Sequence, residues 1–425
     1  MDQKNLALSA IQKKLIGKKL SYKEIFAVMD QISKEKMGDV LTTYFVASGY
    51  SKGFSNDEIY YLAKAMVETG ESLDFKGIVA DKHSIGGTPG ARSTMIVVPI
   101  IAAAGFKIPK SSSRAITTPA GTADAMEVLA KVRFTKNEIY KIVEKVNACI
   151  VWGGSFKIAP ADDEIIRIEE PLMFESFDKI LVSVMAKKIA FGASHVVIEI
   201  PYGKTVKVHK KEEGEHLGNK FEFLAKKFGM KLKTYVHKVD EPSGPGIGPL
   251  LEARDALKVL EQTSDRPMVL EERSLILATI LLELCLKDAP KSKREYVKDH
   301  FETAENWAMD ILRSGAAMSV MKEIVAAQKG NPKVTSKTLT PSHLEHSFTS
   351  DTNGKVVSVN NKNLSLLAKL LGAPKDLGAG IYLYKRIGDS VKKHEKLFTF
   401  YSESKYKMDE ARDSLDLFPI YEIER

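Results

Sequence analysis

Lys82, His83 and Ser84 stand just ahead of two adjacent glycines, in Asp81-Lys-His-Ser-Ile-Gly-Gly-Thr-Pro-Gly90. A cation, an imidazole and a hydroxyl suit an oxyanion here, because glycine lets backbone N–H groups come close to one. Ser93 and Thr94 follow where a helix should begin, and helix N-termini attract anions. A second polar stretch runs from Lys110 to Thr122 and offers Ser111, Ser112, Ser113, Arg114, Thr117, Thr118 and Thr122. Hydroxyls and cations in this mixture suit phosphate. The alternative is a pair of hydroxyl-rich turns that cap their own helices. Neither stretch has the GxxxxGK[ST] or GxGxxG spacing. Ser183 and Lys187 form a third group. Four apart on a helix, they share one face and could orient a planar polar ligand, or could simply be solvated.

These groups need elements to hold them. Phe75–Ala80 reads as a short strand, the glycine stretch as a loop, and Ser93 as the cap of an apolar helix running to about Ala104. Strand, loop and helix open an α/β unit. Ser21–Glu24 and Ser55–Glu58 have capping-box spacing within a helical first 70 residues, and Thr135–Glu138 repeats it. Ile25, Val28, Met29 and Ile32 fall at helical spacing. Further helices are expected over Ala123–Ala130, Pro160 to about Gly192, Gly218–Phe228 and Glu252–Leu260, with a strand at His195–Pro201 and a joint at Trp152–Gly154. Beyond Leu339, Gly380–Tyr384 and Lys396–Tyr401 read as strands, and Asn353-Gly354 favours a hairpin turn.

A chain of 425 residues suggests two or three domains. Its two cysteines allow neither a disulfide framework nor a four-cysteine zinc site, which points to a reducing compartment. Cys149, among apolar neighbours, reads as a buried structural thiol. His343 and His346 have a metal-like spacing without a third ligand and read as a solvated helix start. The first twenty residues hold no signal-peptide run, and the longest apolar run, Met95–Phe106, is too short to span a membrane. A soluble, cytoplasmic protein is expected. The net charge of +8 comes from lysines paired among acids, as at Lys210–Glu215, without interleaved aromatics, so neither nucleic acid nor membrane is the expected partner.

Several ordered segments carry a resemblance: Asp81–Gly87, Ser112–Thr117, Ala120–Asp124, Ala159–Asp162 and Ser183–Lys188. Together they resemble the thymidine/pyrimidine nucleoside phosphorylase family. His83–Gly90 and Cys149–Gly154 look closest to its AMP phosphorylase branch, without that branch's extra N-terminal domain. The resemblance implies an α/β fold in three parts: a small helical domain (1–70 plus 161–191), a larger α/β phosphate-binding domain (71–160 plus 192–335) and a C-terminal α+β, barrel-sandwich-like module (336–425). It implies hinges near Gly70–Glu71, Gly153–Gly154 and Gly192. Inorganic phosphate would be co-substrate, held by Lys82, Ser84, Ser93, Ser112 and Thr122. The nucleotide would touch Gly87, Ser113, Arg114, Ala115, Ile116, Thr117, Thr118, Ser183, Lys187 and Lys207, with Arg114 and Lys207 as candidates for its 5′-phosphate. Glu175 or His83 would protonate the leaving base. Glu169 stands where thymidine phosphorylases place a pyrimidine-holding arginine, which argues against thymine. Pro89 and Ala91 stand near potassium-ligand places of some relatives, so neither metal nor cofactor is expected. The implied activity is phosphorolysis of a nucleoside 5′-monophosphate by a pentosyltransferase, most readily AMP, in a homodimer joined through its helical domains. The alternatives are a thymidine or uridine phosphorylase, a non-catalytic nucleotide-binding sensor, and a nucleic-acid binder.

Overall fold

The computed structural model describes residues 2–155, 157–169 and 177–425. Four helices open the chain: α1 (Gln3–Leu15), α2 (Tyr22–Ser33), α3 (Asp39–Lys52) and α4 (Asn56–Glu68). The capping boxes at Ser21 and Ser55 form as their spacing predicts, each hydroxyl accepting from the N3 amide while the N3 glutamate accepts from the cap amide. Glu58 does more than cap. It also accepts from Lys14 Nζ at 2.9 Å and from the Leu20 amide at 3.0 Å, tying α4 to the end of α1.

The chain then crosses into an α/β layer: β1 (Ala80–Ser84), α5 (Thr94–Ala103), β2 (Ile108–Ser112), α6 (Thr122–Glu127), α7 (Lys136–Val146) and β3 (Ala148–Trp152). It returns to the helical bundle for α8 (Pro160–Glu169) and α9 (Phe177–Ala190), then re-enters with β4 (His195–Tyr202), α10 (Lys211–Lys227) and β5 (Lys231–Lys238). β1, β4 and β5 form one parallel sheet and β2 pairs with β3 in parallel. A Val79–Lys107 bridge joins the two, so the strands run β3-β2-β1-β4-β5. The order reverses between β1 and β4, and ligands of such sheets collect at the carboxyl ends there. The three crossings between domains lie side by side: the Glu71 amide donates to Lys157 O at 2.6 Å, and Leu73 to Ala190 O at 2.7 Å.

After β6 (Gly246–Ile247), five helices close over the sheet: α11 (Pro249–Leu260), α12 (Met268–Leu286), α13 (Lys291–Phe301), α14 (Ala304–Arg313) and α15 (Ala316–Ala327). They bury α5, whose residues from Met95 to Ile101 are all buried, as expected of a helix apolar all round. The C-terminal module contains β7 (Leu344–Thr349), β8 (Gly354–Val359), α16 (Asn361–Leu370), β9 (Gly380–Leu383), β10 (Ser390–Val391), β11 (Lys396–Ser402), α17 (Lys405–Asp413) and β12 (Tyr421–Glu424). Its two antiparallel sheets are β10-β8-β12 and β6-β9-β11-β7. No helix among the described residues is long and apolar enough to cross a membrane.

Some expectations shift. The first strand is not Phe75–Ala80 but Ala80–Ser84, so Asp81, Lys82 and His83 lie in it. Asn353-Gly354 does not close a hairpin, because β7 pairs with β11 while β8 pairs with β10 and β12. The Asn353 side chain instead accepts from the Lys393 amide at 2.8 Å. His346 stands in β7, packed edge-on against Phe348, rather than at a helix start. α10 begins seven residues earlier than Gly218.

Candidate active site

Lys82 is the middle residue of β1 and is 1% exposed. Side chains alternate across a strand, so Lys82 and Ser84 share one face. The register sets Glu199 of β4 beside Ser84. Lys82 Nζ therefore meets Glu199 Oε2 at 2.8 Å and donates to Ser93 Oγ at 2.8 Å. Burial pulls the Lys82 pKa down and Glu199 opposes that. Burial alone would raise Glu199, but Lys82, His237 and Arg273 hold it well below the usual carboxylate range. His237 Nε2 lies 3.1 Å from Glu199 Oε1. Ser93 makes no side-chain cap, contrary to its sequence reading, because its hydroxyl serves Lys82.

The neighbouring Arg92 pairs with buried Glu252 and approaches Thr122 Oγ1 at 3.4 Å, linking the two polar stretches. The second stretch leaves β2 at Ser112, whose hydroxyl is buried and without a hydrogen-bond partner among the described residues. Asp124, one turn into α6, accepts from the Ala115 amide at 2.7 Å and the Gly121 amide at 2.8 Å, folding Ser113–Thr118 over Gly121. A Cβ on Gly121 would strike the Ser113 carbonyl. Arg114 bonds to Asp124 at 2.8 Å and to Glu127 at 2.9 Å, with its guanidinium over Trp152. It therefore braces the loop. Thr118 donates to the Ala120 carbonyl at 3.0 Å, while Ser113, Ile116 and Thr117 are exposed.

On the helical side, Ser183 and Lys187 do share a face of α9. Ser183 Oγ donates to Asp162 Oδ2 at 2.7 Å, and Lys187 Nζ reaches the same oxygen at 2.9 Å. Asp162, on α8, is fully buried. Lys207 lies over the glycine loop: a Cβ on Gly87, whose φ is +89°, would come within 2.9 Å of Lys207 Cγ. His83 has its pKa driven well below the imidazole value by loss of solvent first, then by Lys188, Lys110, Lys82 and Lys187. It is neutral near pH 7. Glu175 lies outside the described residues. Glu169 is buried and paired with Lys179. Cys149 is fully buried in β3, its thiol pushed up to about 12 by burial. Among the described residues, no group of three or more His, Cys, Asp or Glu could hold a metal ion.

Sequence reasoning missed Glu199, Arg92, Glu252 and Asp162 as partners. Glu199 had one visible signal, a lone acid inside the apolar run His195–Pro201. An acid buried there needs a cation.

Comparison with known proteins makes this chain a pentosyltransferase. The chain belongs to the glycosyl transferase family. It matches that family's helical bundle domain over residues 8–70 and its a/b domain over 76–318, and the pyrimidine nucleoside phosphorylase C-terminal domain over 355–417. AMP phosphorylase 1 of Archaeoglobus fulgidus is 42% identical over 95% of this chain and 78% of its own length. A provisionally named thymidine phosphorylase of Legionella pneumophila is 39% identical over 97% of this chain and 77% of its own. Among solved structures, anthranilate phosphoribosyltransferase from Thermus thermophilus shares the fold, at 18% identity and a TM-score of 0.60, over 76% of this chain and 99% of that one.

Proposed function

We propose that the site phosphorolyses a nucleoside 5′-monophosphate, AMP and phosphate giving adenine and ribose 1,5-bisphosphate. One observation carries the phosphate half: buried Lys82, shared by Glu199 and Ser93, lies at the sheet's switch point, while Ser112 brings a buried hydroxyl, without a partner among the described residues, to the end of β2. A buried hydroxyl without a partner costs about 1–3 kcal/mol, and a phosphate oxygen would satisfy it. The AMP phosphorylase relatives, about 40% identical over most of this chain, support AMP as the nucleotide.

Phosphate attacks C1′ as the base departs, through an oxocarbenium-like state. Lys82 and the hydroxyls of Ser84, Ser93, Ser112 and Thr122 hold the nucleophile in line, a positioning effect that can outweigh proton donation. Ser183 and Lys187, fixed by Asp162, orient the base. Neutral His83 can donate one N–H and accept at the other nitrogen, but it supplies no imidazolium. Glu175 is then the other candidate to protonate the leaving base. Lys207, lying over the glycine loop, and Arg114 are the candidates for the 5′-phosphate.

The reading is tested by release of free base from AMP, CMP, UMP, adenosine, uridine and thymidine, with and without phosphate. Phosphate-dependent release with AMP preferred is expected. Preference for uridine or thymidine would replace the nucleotide reading with the pyrimidine nucleoside one, which the Legionella relative favours. Binding of AMP with no release would leave a sensor.

A further inference from the structure

The face of β1 opposite Lys82 carries a second group of charges, which the chemistry above does not use. Asp81 is 1% exposed, Lys188 of α9 is 2% and Lys110 of β2 is 4%. Asp81 Oδ2 receives Lys188 Nζ at 2.5 Å. Asp81 Oδ1 faces Lys110 Nζ at 3.5 Å, too far for a strong hydrogen bond, and has no hydrogen-bond partner among the described residues. Lys110 donates instead to the Ser111 carbonyl. The remaining ionisable neighbours do not neutralise it. On β1, Lys82 is matched by Glu199 and His83 is neutral; on α9, Lys187 is matched by Asp162; on β3, the Cys149 thiol stays protonated. Two buried lysines thus share one carboxylate.

Their place matters. Lys110 precedes Ser112 by two residues on the same strand, so it lies on the same face, about 7 Å below the end of β2. A dianion held at Ser112, at the end of that strand, would supply the negative charge that the cluster lacks. We propose that Lys110 is a positioning residue for the oxyanion: the Asp81–Lys110–Lys188 cluster takes a proton from solvent when a dianion enters the cradle and returns it when the dianion leaves. Burial, opposed by Asp81 and reinforced by Lys188 and Lys82, brings the Lys110 pKa down to about 7, so the group is poised to respond near neutrality. A dianion nearby should raise that value by about one unit or more. The inference rests on the phosphate reading of the cradle.

Sulfate is the probe, because it stays a dianion near neutrality and brings no proton of its own. Calorimetric titration of the full chain at pH 7.5, in two buffers of different ionisation enthalpy, should show uptake of about half a proton per sulfate bound. Lys110→Met should bind sulfate without uptake, and Lys110→Arg, permanently charged, should do the same. The Arg variant decides the matter if the Met variant does not fold. His83→Asn should leave the uptake in place. Sulfate binding to the unaltered chain with no proton uptake between pH 6.5 and 8.5 would overturn the proposal, as would uptake that survives in Lys110→Arg. Failure of sulfate to bind at all would instead remove the phosphate reading beneath it.

Discussion

Asp162 gathers two donors on one carboxylate oxygen, Ser183 Oγ and Lys187 Nζ, from consecutive turns of α9. Its other oxygen is buried and unpartnered among the described residues. One acid therefore fixes both groups that would meet the base, and a group held in one rotamer before binding loses little freedom on binding. Asp162→Asn keeps the shape and removes the charge. Hydrogen bonds to charged groups are worth about 1.5–3 kcal/mol, so KM for AMP should rise about 10- to 100-fold while KM for phosphate changes less than about twofold. Initial-rate kinetics with each substrate varied in turn would check this. An equal rise in both constants would mean that Asp162 supports the fold rather than the base subsite. At this scale the donors were legible in the sequence and their anchors were not. Lys82, Ser112, Ser183 and Lys187 advertise themselves by type and spacing, whereas Asp162 looks like a first-turn helix acid and Glu199 like an oddity in a strand.

Elements were legible where their signals are local. The three capping boxes need only four consecutive residues each, and all three form. β1 was misread because charged residues in a row resemble a loop. They lie in a buried strand because each finds a partner far along the chain, Lys188 lying 107 residues from Asp81 and Glu199 117 from Lys82. No local pattern reports such pairings. Glu58 joins the two kinds of signal, capping α4 locally and receiving Lys14 and Leu20 from across the bundle. Burial would raise its carboxyl, but the Ser55 amide, Lys14 and the Leu20 amide together hold it below the usual value. A carboxylate with a lowered folded pKa stabilises the fold fully above its unfolded pKa, about 4.3. That contribution is lost as pH falls through the folded value. Glu58→Gln strands a buried ammonium on Lys14 and should destabilise the helical domain by about 3 kcal/mol at pH 7. The difference between the two proteins should shrink below pH 4. Thermal melts followed by circular dichroism at pH 7 and pH 3.5 would show it, and an equal loss at both would rule out the charge as the cause.

Across the whole molecule, the C-terminal module is built into the candidate site and is not an appendage. It borrows β6 from the α/β domain as an edge strand of its larger sheet, pairing Ile247 with Ile381. Gly248 and Gly380 allow that junction, since a Cβ on either would strike backbone of the other segment. Asn361 donates to Thr205 Oγ1 at 2.8 Å, just before Lys207. Lys369, on α16, donates to the Ile116 carbonyl at 2.6 Å, in the middle of the Ser113–Thr118 loop. The module thus steadies both stretches expected to meet the nucleotide, from a region whose own sequence carries no ligand-like pattern. Lys369→Met removes the exposed bond to the Ile116 carbonyl. Such a bond contributes about 0.5–1.5 kcal/mol. KM for AMP should therefore rise about threefold to tenfold, with the melting temperature within about 1 °C of the unaltered chain. If the melting temperature fell while KM stayed put, α16 would be serving stability alone, and the loop would owe its position to Asp124 and Arg114 without help from the module.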